Sequence, residues 1–89
     1  ELLIASHIKP WSESTSMEKT DPDNGFLLCP NHDCLFDNCL ISFDDDGRII
    51  ISGKLSDLNR KSMNVNEEMR IKLTEKNRKY LEYHRSHLK

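Results

Sequence analysis

The sequence lacks any long apolar run. A helix that crosses a membrane needs about 20 consecutive, mostly apolar residues, and no stretch of the 89 residues approaches that length. The N-terminal stretch also lacks the basic start and the small-residue cleavage site of a secretory signal. The hydrophobic and charged fractions, 36% and 31%, are typical of a soluble globular chain with a modest core. Membrane-spanning and secreted classes are therefore not expected.

Cysteine is scarce, and its odd number argues against a disulfide framework. Cys29, Cys34 and Cys39 fit the reduced thiols of a cytosolic protein better than paired ones. Zinc is the alternative, with His32 as a further ligand. The paired C-x-x-C spacing of structural zinc sites is missing, so the spacing disfavours zinc.

Charge is distributed unevenly along the chain. Residues 1–47 carry two bases and ten acids, giving −8, whereas residues 48–89 carry eleven bases and five acids, giving +6. A basic half can lie along phosphates while an acidic pocket holds a cation. A solvated helix that is rich in lysine and arginine explains the same asymmetry, so charge alone does not decide between them.

The order of the predicted elements indicates an α+β fold. The patterning predicts a strand over 2–6, a polar loop over 12–25, a strand over 26–28, a helix over 32–38, a hairpin around the acidic turn DDDG and a helix that begins after Thr74. We expect one domain over 1–89, with a core at 2–39, a hairpin at 40–52, an irregular segment at 53–73 and a C-terminal helix at 74–88. The chain opens inside an apolar run without an initiator methionine, and we expect it to be the C-terminal fragment of a longer protein.

Two aspartates on the predicted short helix have the spacing of a cation site. Asp33 and Asp37 are four residues apart, which places their Cβ atoms about 5–6 Å from each other on one helix face. Two carboxylates at that distance can bind a hard divalent cation such as Mg²⁺, which keeps several of its waters. The alternative is structural, because a negative charge in the first helical turn is stabilising by itself.

Three further side chains stand near the predicted strands. His7 ends the first strand, and a lone histidine there is more often structural than catalytic. Asn24 precedes a glycine, which is typical of a turn residue, although its amide could also tie down the loop and brace a facing group. Trp11 is expected to cap the small core, and stacking on a base is the alternative.

These segments together resemble a known family. The stretches ASHIKPW at 5–11, DPDNGFLLCPNHDCLFDNCLISFDDDGRI at 21–49 and YLEYHR at 80–85 are similar to the HNH, or ββα-metal, nucleases. They are closest to the HNH domains found at the C-terminus of bacterial restriction-type endonucleases. The resemblance implies a ββα-metal core with an additional β-hairpin and a C-terminal helix, in a cytoplasmic bacterial enzyme.

The resemblance also implies roles for individual residues. His7 corresponds to the general base, and Asn24 to the asparagine that orients the loop and the base. Asp33 stands where the family usually has its last motif histidine, a metal ligand, and Asp37 corresponds to the second ligand. Ser6 stands where many members carry an aspartate or histidine ligand, so it is at most a weak donor. An all-oxygen set favours one Mg²⁺ or Mn²⁺ per site over zinc.

The implied substrate is double-stranded DNA, and the implied reaction is hydrolysis of a phosphodiester bond. No membrane partner is expected, and a homodimer is expected because cutting both strands needs two active sites. The candidates for contacts to DNA are His32, Lys9, Arg70, Lys72, Arg78, Lys79 and Arg85. Two other functions stay open. One is a catalytically idle DNA-binding module that has lost metal binding, which is considered because Ser6 replaces a ligand. The other is a small zinc-stabilised interaction domain that uses the cysteines and His32.

Overall fold

The first two strands form an antiparallel pair. In the computed structural model, which describes residues 3–89, β1 (Ile4–His7) pairs with β2 (Gly25–Leu28) so that His7 lies opposite Gly25. Residue 2 of the predicted strand lies outside the described residues. Because side chains alternate along a strand, Ser6 is buried while its neighbour His7 is exposed.

The sequence predicts a plain loop for the connection between these strands, but the structure differs. It contains a 3₁₀ turn (Trp11–Glu13) and a short helix, α1 (Ser16–Lys19). A reciprocal capping box stabilises α1: Thr15 Oγ1 accepts from the Glu18 N–H, and the Glu18 carboxylate accepts from the Thr15 N–H. The prediction of an irregular loop is therefore wrong for α1.

Helix α2 (Pro30–Asp37) packs against both strands. It begins two residues before the predicted position because Pro30 occupies the first helical position, where its missing N–H costs nothing. It ends at Asp37, with Asn38 as its C-cap, after which Cys39 adopts a left-handed conformation with φ 58°.

The predicted hairpin is present. Strands β3 (Ile41–Phe43) and β4 (Ile49–Ile51) pair antiparallel. At the acidic turn between them, Asp44 Oδ1 accepts from the N–H groups of Asp46 and Arg48. Gly47 has φ +81°, and a Cβ there would lie 2.0 Å from the Ile71 carbonyl oxygen. Only glycine fits this turn.

The segment over 53–73 is predicted to be irregular, but it contains a helix, α3 (Asp57–Ser62). Ser56 caps α3, since its hydroxyl oxygen accepts from the Asn59 N–H. The last helix, α4 (Glu75–Arg85), begins after Thr74 as predicted. None of the helices within 3–89 is long and apolar enough to cross a membrane.

The hydrophobic core joins β2, α2, both strands of the β3–β4 hairpin and α4. Phe36 of α2 is 1% exposed and contacts Phe26 of β2 and Phe43 of β3 through their rings. On its other side the imidazole of His84, from α4, stacks in parallel at 3.7 Å between ring centroids. The two strand pairs and the helices that pack on them form an α+β fold, which confirms the predicted class.

Candidate active-site groove

One open groove of about 470 Å³ brings together four of the predicted site residues. Strand β1 contributes Ser6 and His7, and helix α2 contributes Asp33 and Asp37. The 3₁₀ turn adds Trp11 at the edge of the same groove. The β1–β2 strand pair and helix α2 packed on it therefore place an imidazole and two carboxylates around one open space.

Ser6 and Asp33 are in direct contact across this groove. The alternation of β1 turns Ser6 toward α2, where it is 5% exposed. Its hydroxyl donates a hydrogen bond to Asp33 Oδ1. The position that the resemblance assigns to a further ligand is thus next to the proposed ligand Asp33, with a hydroxyl in place of a carboxylate or imidazole.

His7 lies at the exposed end of β1 with its ring accessible. Its Nε2 is 3.5 Å from the Lys19 carbonyl oxygen, which is long for a hydrogen bond and therefore weak. Its ring meets the Trp11 ring at a steep angle of 79°, with 5.5 Å between centroids. The imidazole is oriented by the connection between the strands but is not buried by it.

Asn24 organises that connection. It is 1% exposed, and its Oδ1 accepts from the Lys9 N–H at 2.8 Å. Its Nδ2 donates to the Glu18 carbonyl oxygen at 3.1 Å, and its own carbonyl oxygen accepts from the Ile8 N–H at 3.2 Å. These bonds join both ends of the connection directly beside His7, although no hydrogen bond joins Asn24 to the imidazole among the described contacts.

The donors in the groove fit a hard cation better than zinc. Within 3–89, no three histidine, cysteine or acidic side chains converge as a metal site. Two carboxylates with one hydroxyl suit Mg²⁺ or Mn²⁺, because these ions keep several waters and also bind oxygens of a substrate phosphate. The three cysteines are free thiols spread along α2 and its ends. The Nε2 of His32 is 3.0 Å from the Asn64 carbonyl oxygen, to which it donates.

The predicted DNA contacts separate into two groups. Some have partners within the protein: the Lys9 ammonium pairs with Glu18 at 2.9 Å, and the Arg85 guanidinium donates to Asp45 Oδ1 at 3.0 Å. Arg70 and Lys72 instead line a second open groove, beside the acidic turn. Arg78 lines this groove too, but its Nε donates to the Asp45 carbonyl oxygen at 2.8 Å. Lys79 is exposed on α4.

Sequence reasoning missed the contacts between α4 and the segment before β2. Tyr80 OH donates to Asp21 Oδ2 at 2.7 Å, and Asn77 Nδ2 donates to the Asp23 carbonyl oxygen. The hydrogen bond from Tyr80 lowers the pKa of Asp21, and the same bond raises the pKa of Tyr80 to about 12. These residues are more than fifty positions apart, and no local pattern in the sequence indicates their pairing.

An antiparallel strand pair, a helix packed on it, and a strand-end histidine that shares a groove with two helical carboxylates define a ββα-metal domain. Residues 1–44 match the family model of the HNH endonucleases. The match supports an HNH domain in this part of the chain and confirms the resemblance and the fold expected from the sequence. No curated protein matches the chain.

Proposed function

We propose that this domain hydrolyses phosphodiester bonds in double-stranded DNA, with His7 as its general base. The observation that carries the proposal is the single groove lined by His7, Asp33 and Asp37. Membership of residues 1–44 in a family of nucleases supports it. We also infer that the domain serves a restriction-type enzyme of the bacterial cytoplasm, and that a homodimer forms when both strands are cut.

The imidazole of His7 removes a proton from the water that attacks phosphorus. Its Nε2 faces the Lys19 carbonyl oxygen, which can only accept a hydrogen bond. This contact favours the tautomer with the proton on Nε2, so Nδ1 is the atom that accepts the proton from water. Asn24 keeps the connection closed and thereby holds His7 at the end of β1.

Asp33 and Asp37 are the residues that hold one Mg²⁺ or Mn²⁺ in this proposal. Ser6 donates its hydroxyl hydrogen to Asp33 Oδ1, and the Asp33 and Asp37 carboxylates would together hold the cation. When bound, the cation supplies positive charge that stabilises the oxygens of the phosphate and of the leaving group. Ser6 itself is at most a weak further donor.

Basic side chains bind the phosphates of the DNA in this proposal. Arg70 and Lys72 are the favoured contacts because they line an open groove, and exposed Lys79 is a third. Arg78 lines the same groove but donates to the Asp45 carbonyl oxygen. Lys9, His32 and Arg85 also have partners inside the protein, so the contribution of these four residues to DNA binding is secondary.

The test is nicking of supercoiled plasmid with Mg²⁺ or Mn²⁺, and with chelator, comparing the unaltered chain with His7→Ala. We expect cleavage that requires the cation and is lost in the variant by a factor of at least about 10², the usual contribution of a general base. His87→Ala is the matched control, because His87 is an exposed histidine of the segment after α4. Undiminished cleavage by His7→Ala would contradict the assignment of the base.

The idle DNA-binding module is the second candidate, and the contact of Ser6 with Asp33 favours it. A serine at this position leaves the cation with two carboxylates, so binding can be too weak for catalysis. DNA binding without cleavage at any concentration of Mg²⁺ or Mn²⁺ would support this candidate against the nuclease. One tightly bound zinc per chain would contradict both.

A further inference from the structure

The sequence predicts that Trp11 caps the core, but the structure shows that it does not. It is the single tryptophan of the chain, and 56% of its surface is exposed. An indole is the largest apolar side chain, and leaving half of it in water forgoes much of the stabilisation that burial would provide. The position of this exposed ring is informative, because it lines the same groove as His7, Asp33 and Asp37.

The surroundings of the ring combine an aromatic surface with positive charge. The ammonium of Lys19 lies 4.8 Å from the centroid of the Trp11 ring. Among residues 3–89, no carboxylate forms an ion pair with Lys19. On another side the indole meets the imidazole of His7. An exposed ring, a lysine and the proposed general base are therefore adjacent.

We propose that Trp11 and Lys19 form a nucleotide subsite beside the scissile phosphate, in which the indole stacks on a base and the ammonium binds a neighbouring phosphate. The inference rests on the proposed function, since it assumes that DNA occupies the groove. Aromatic side chains stack on any base because every base has a π face, so the subsite is tolerant of sequence. The ammonium adds a phosphate contact that depends on salt.

The subsite also defines the class of DNA that fits the groove. A base can lie flat on an indole only after it leaves the stack of the double helix. Duplexes with an unpaired or readily unpaired nucleotide at the cleavage position are therefore the preferred substrates. An intact duplex must unstack a base first, which weakens its binding.

Tryptophan fluorescence tests the subsite directly, because the chain has one tryptophan. The unaltered chain is titrated, in chelator so that no DNA is cut, with a duplex that contains one unpaired nucleotide and with the fully paired duplex. We expect quenching of fluorescence and an affinity for the unpaired form at least fivefold higher, as a rough figure for the loss of one stacked base. Binding that is detected by anisotropy of labelled DNA, with unchanged Trp11 fluorescence, would overturn the proposal.

Variants separate a nucleotide contact from a role in positioning His7. Trp11→Ala should weaken DNA binding at least about fivefold, and Trp11→Phe should recover most of the loss because a phenyl ring also stacks. Leu58→Ala is the matched control, since Leu58 is a 75% exposed apolar side chain on α3, and it should bind DNA as the unaltered chain does. A lower kcat in Trp11→Ala with unchanged DNA affinity would show positioning of His7 and overturn the subsite.

The binding readout does not depend on cleavage. Quenching by DNA in a chain that never cleaves would contradict the proposed nuclease and leave the nucleotide subsite supported. Cleavage without quenching would do the reverse.

Discussion

In the proposed cation site, Ser6 stands where a third carboxylate would raise the affinity for metal. Its side chain is buried and donates to Asp33, so an acidic side chain at this position would stand beside a proposed ligand. Affinity for a hard cation rises with the number of negatively charged oxygen ligands. The residue thus separates the two functions that stay open, a weakly metallated nuclease and an idle module.

Ser6→Asp should therefore bind Mn²⁺ about tenfold more tightly, since a third carboxylate joins the two on α2. Without metal, the same variant should melt at a lower temperature, because a buried negative charge beside Asp33 has no counter-charge. Calorimetric titration with Mn²⁺ and thermal melts with and without the ion measure both effects.

Ser56→Asp is the control for the added charge. Ser56 caps α3, and aspartate caps a helix as well as serine does, so neither the melting temperature nor Mn²⁺ binding should change much. An unchanged affinity for Mn²⁺ in folded Ser6→Asp would count against Asp33 as a ligand.

His84 makes the stability of the fold depend on pH. Burial lowers the pKa of His84 below its ordinary value of 6.5, while its hydrogen bond to the Phe36 carbonyl oxygen and the charge of Asp37 oppose the shift. Because the unfolded chain binds this proton more readily, the contribution of neutral His84 to the free energy of unfolding is fully present above about pH 6.5. It is lost as the pH drops below that value. The carboxyl groups with lowered pKa, Glu18, Asp21 and Asp44, titrate below this window.

Denaturant unfolding between about pH 7 and 5 measures the effect. We expect the free energy of unfolding of the unaltered chain to decrease across this range. His84→Gln can still donate to the Phe36 carbonyl oxygen but cannot take up a proton, so its curve should be flatter, although its stability at pH 7 is lower. His87→Gln should keep the slope of the unaltered chain, and an equally flat curve in that variant would point to a different histidine.

Residue periodicities explain why part of the candidate site could be predicted from the sequence. His7 ends a predicted strand, and Asp33 and Asp37 are four residues apart on a predicted helix; both are local features of the sequence. The structure places all three residues around one groove. The contact of Ser6 with Asp33 and the exposure of Trp11 depend on how α2 packs and on the path of a polar connection. Local patterns carry no information about either.

Among the elements, α4 has a second use besides filling the core. Its first turn contacts the segment before β2: Thr74 Oγ1 donates to Asp23 Oδ1 at 3.0 Å, and Asn77 donates to the Asp23 carbonyl oxygen. Asn77 Oδ1 also accepts from the Thr74 N–H at 3.0 Å, which completes a capping box. One buried side chain therefore stabilises the start of α4 and anchors the residue that precedes Asn24.

Asn77→Ala should lower the free energy of unfolding by about 1–2 kcal/mol, because it removes a cap and leaves the carbonyl oxygen of half-buried Asp23 without its donor. It should also slow cleavage with little change in DNA affinity, since the segment that braces His7 loses an anchor. Chemical denaturation and single-turnover cleavage measure the two effects. Asn59→Ala is the matched control: Asn59 is likewise the third residue of its helix but is exposed, so a loss above about 0.5 kcal/mol there would be unexpected.

The two short helices show where prediction of elements from sequence ends. Thr15 with Glu18, and Ser56 before α3, are recognisable capping signals. Helices of four and six residues are too short for apolar periodicity to appear, so caps alone had to indicate them. The hairpin and α4 were predictable because apolar runs, an acidic turn and a cap coincide.

At the scale of the whole molecule, the two halves of the chain share one core. Leu35 and Phe36 belong to the half that matches the nuclease family, whereas Tyr80 and Leu81 of α4 belong to the other half, and all four are buried in the same cluster. The second half therefore supplies apolar surface on which α2 packs. Its basic residues also compensate the acidic first half, so that the net charge of the chain is only −2.

A nearly neutral chain attracts DNA weakly at long range, so affinity depends on local groups of bases. Arg70, Lys72 and Arg78 line one groove beside the acidic turn, where Asp45 and Asp46 limit their combined potential. Each lysine or arginine that neutralises a phosphate releases counterions, and the logarithm of affinity then falls linearly with the logarithm of salt concentration. The slope of that line counts the phosphate contacts.

Lys72→Ala should weaken DNA binding equally for all sequences and should reduce the magnitude of this slope by about 0.9, the contribution of one phosphate contact to duplex DNA. Anisotropy titrations of labelled duplexes between about 50 and 200 mM salt provide the measurement. Lys61→Ala removes the same charge from the exposed face of α3, outside the groove, and should leave the slope unchanged. Equal slopes for Lys72→Ala and the unaltered chain would mean that DNA does not pass through this groove, and the basic half would then act only by balancing the charge of the acidic half.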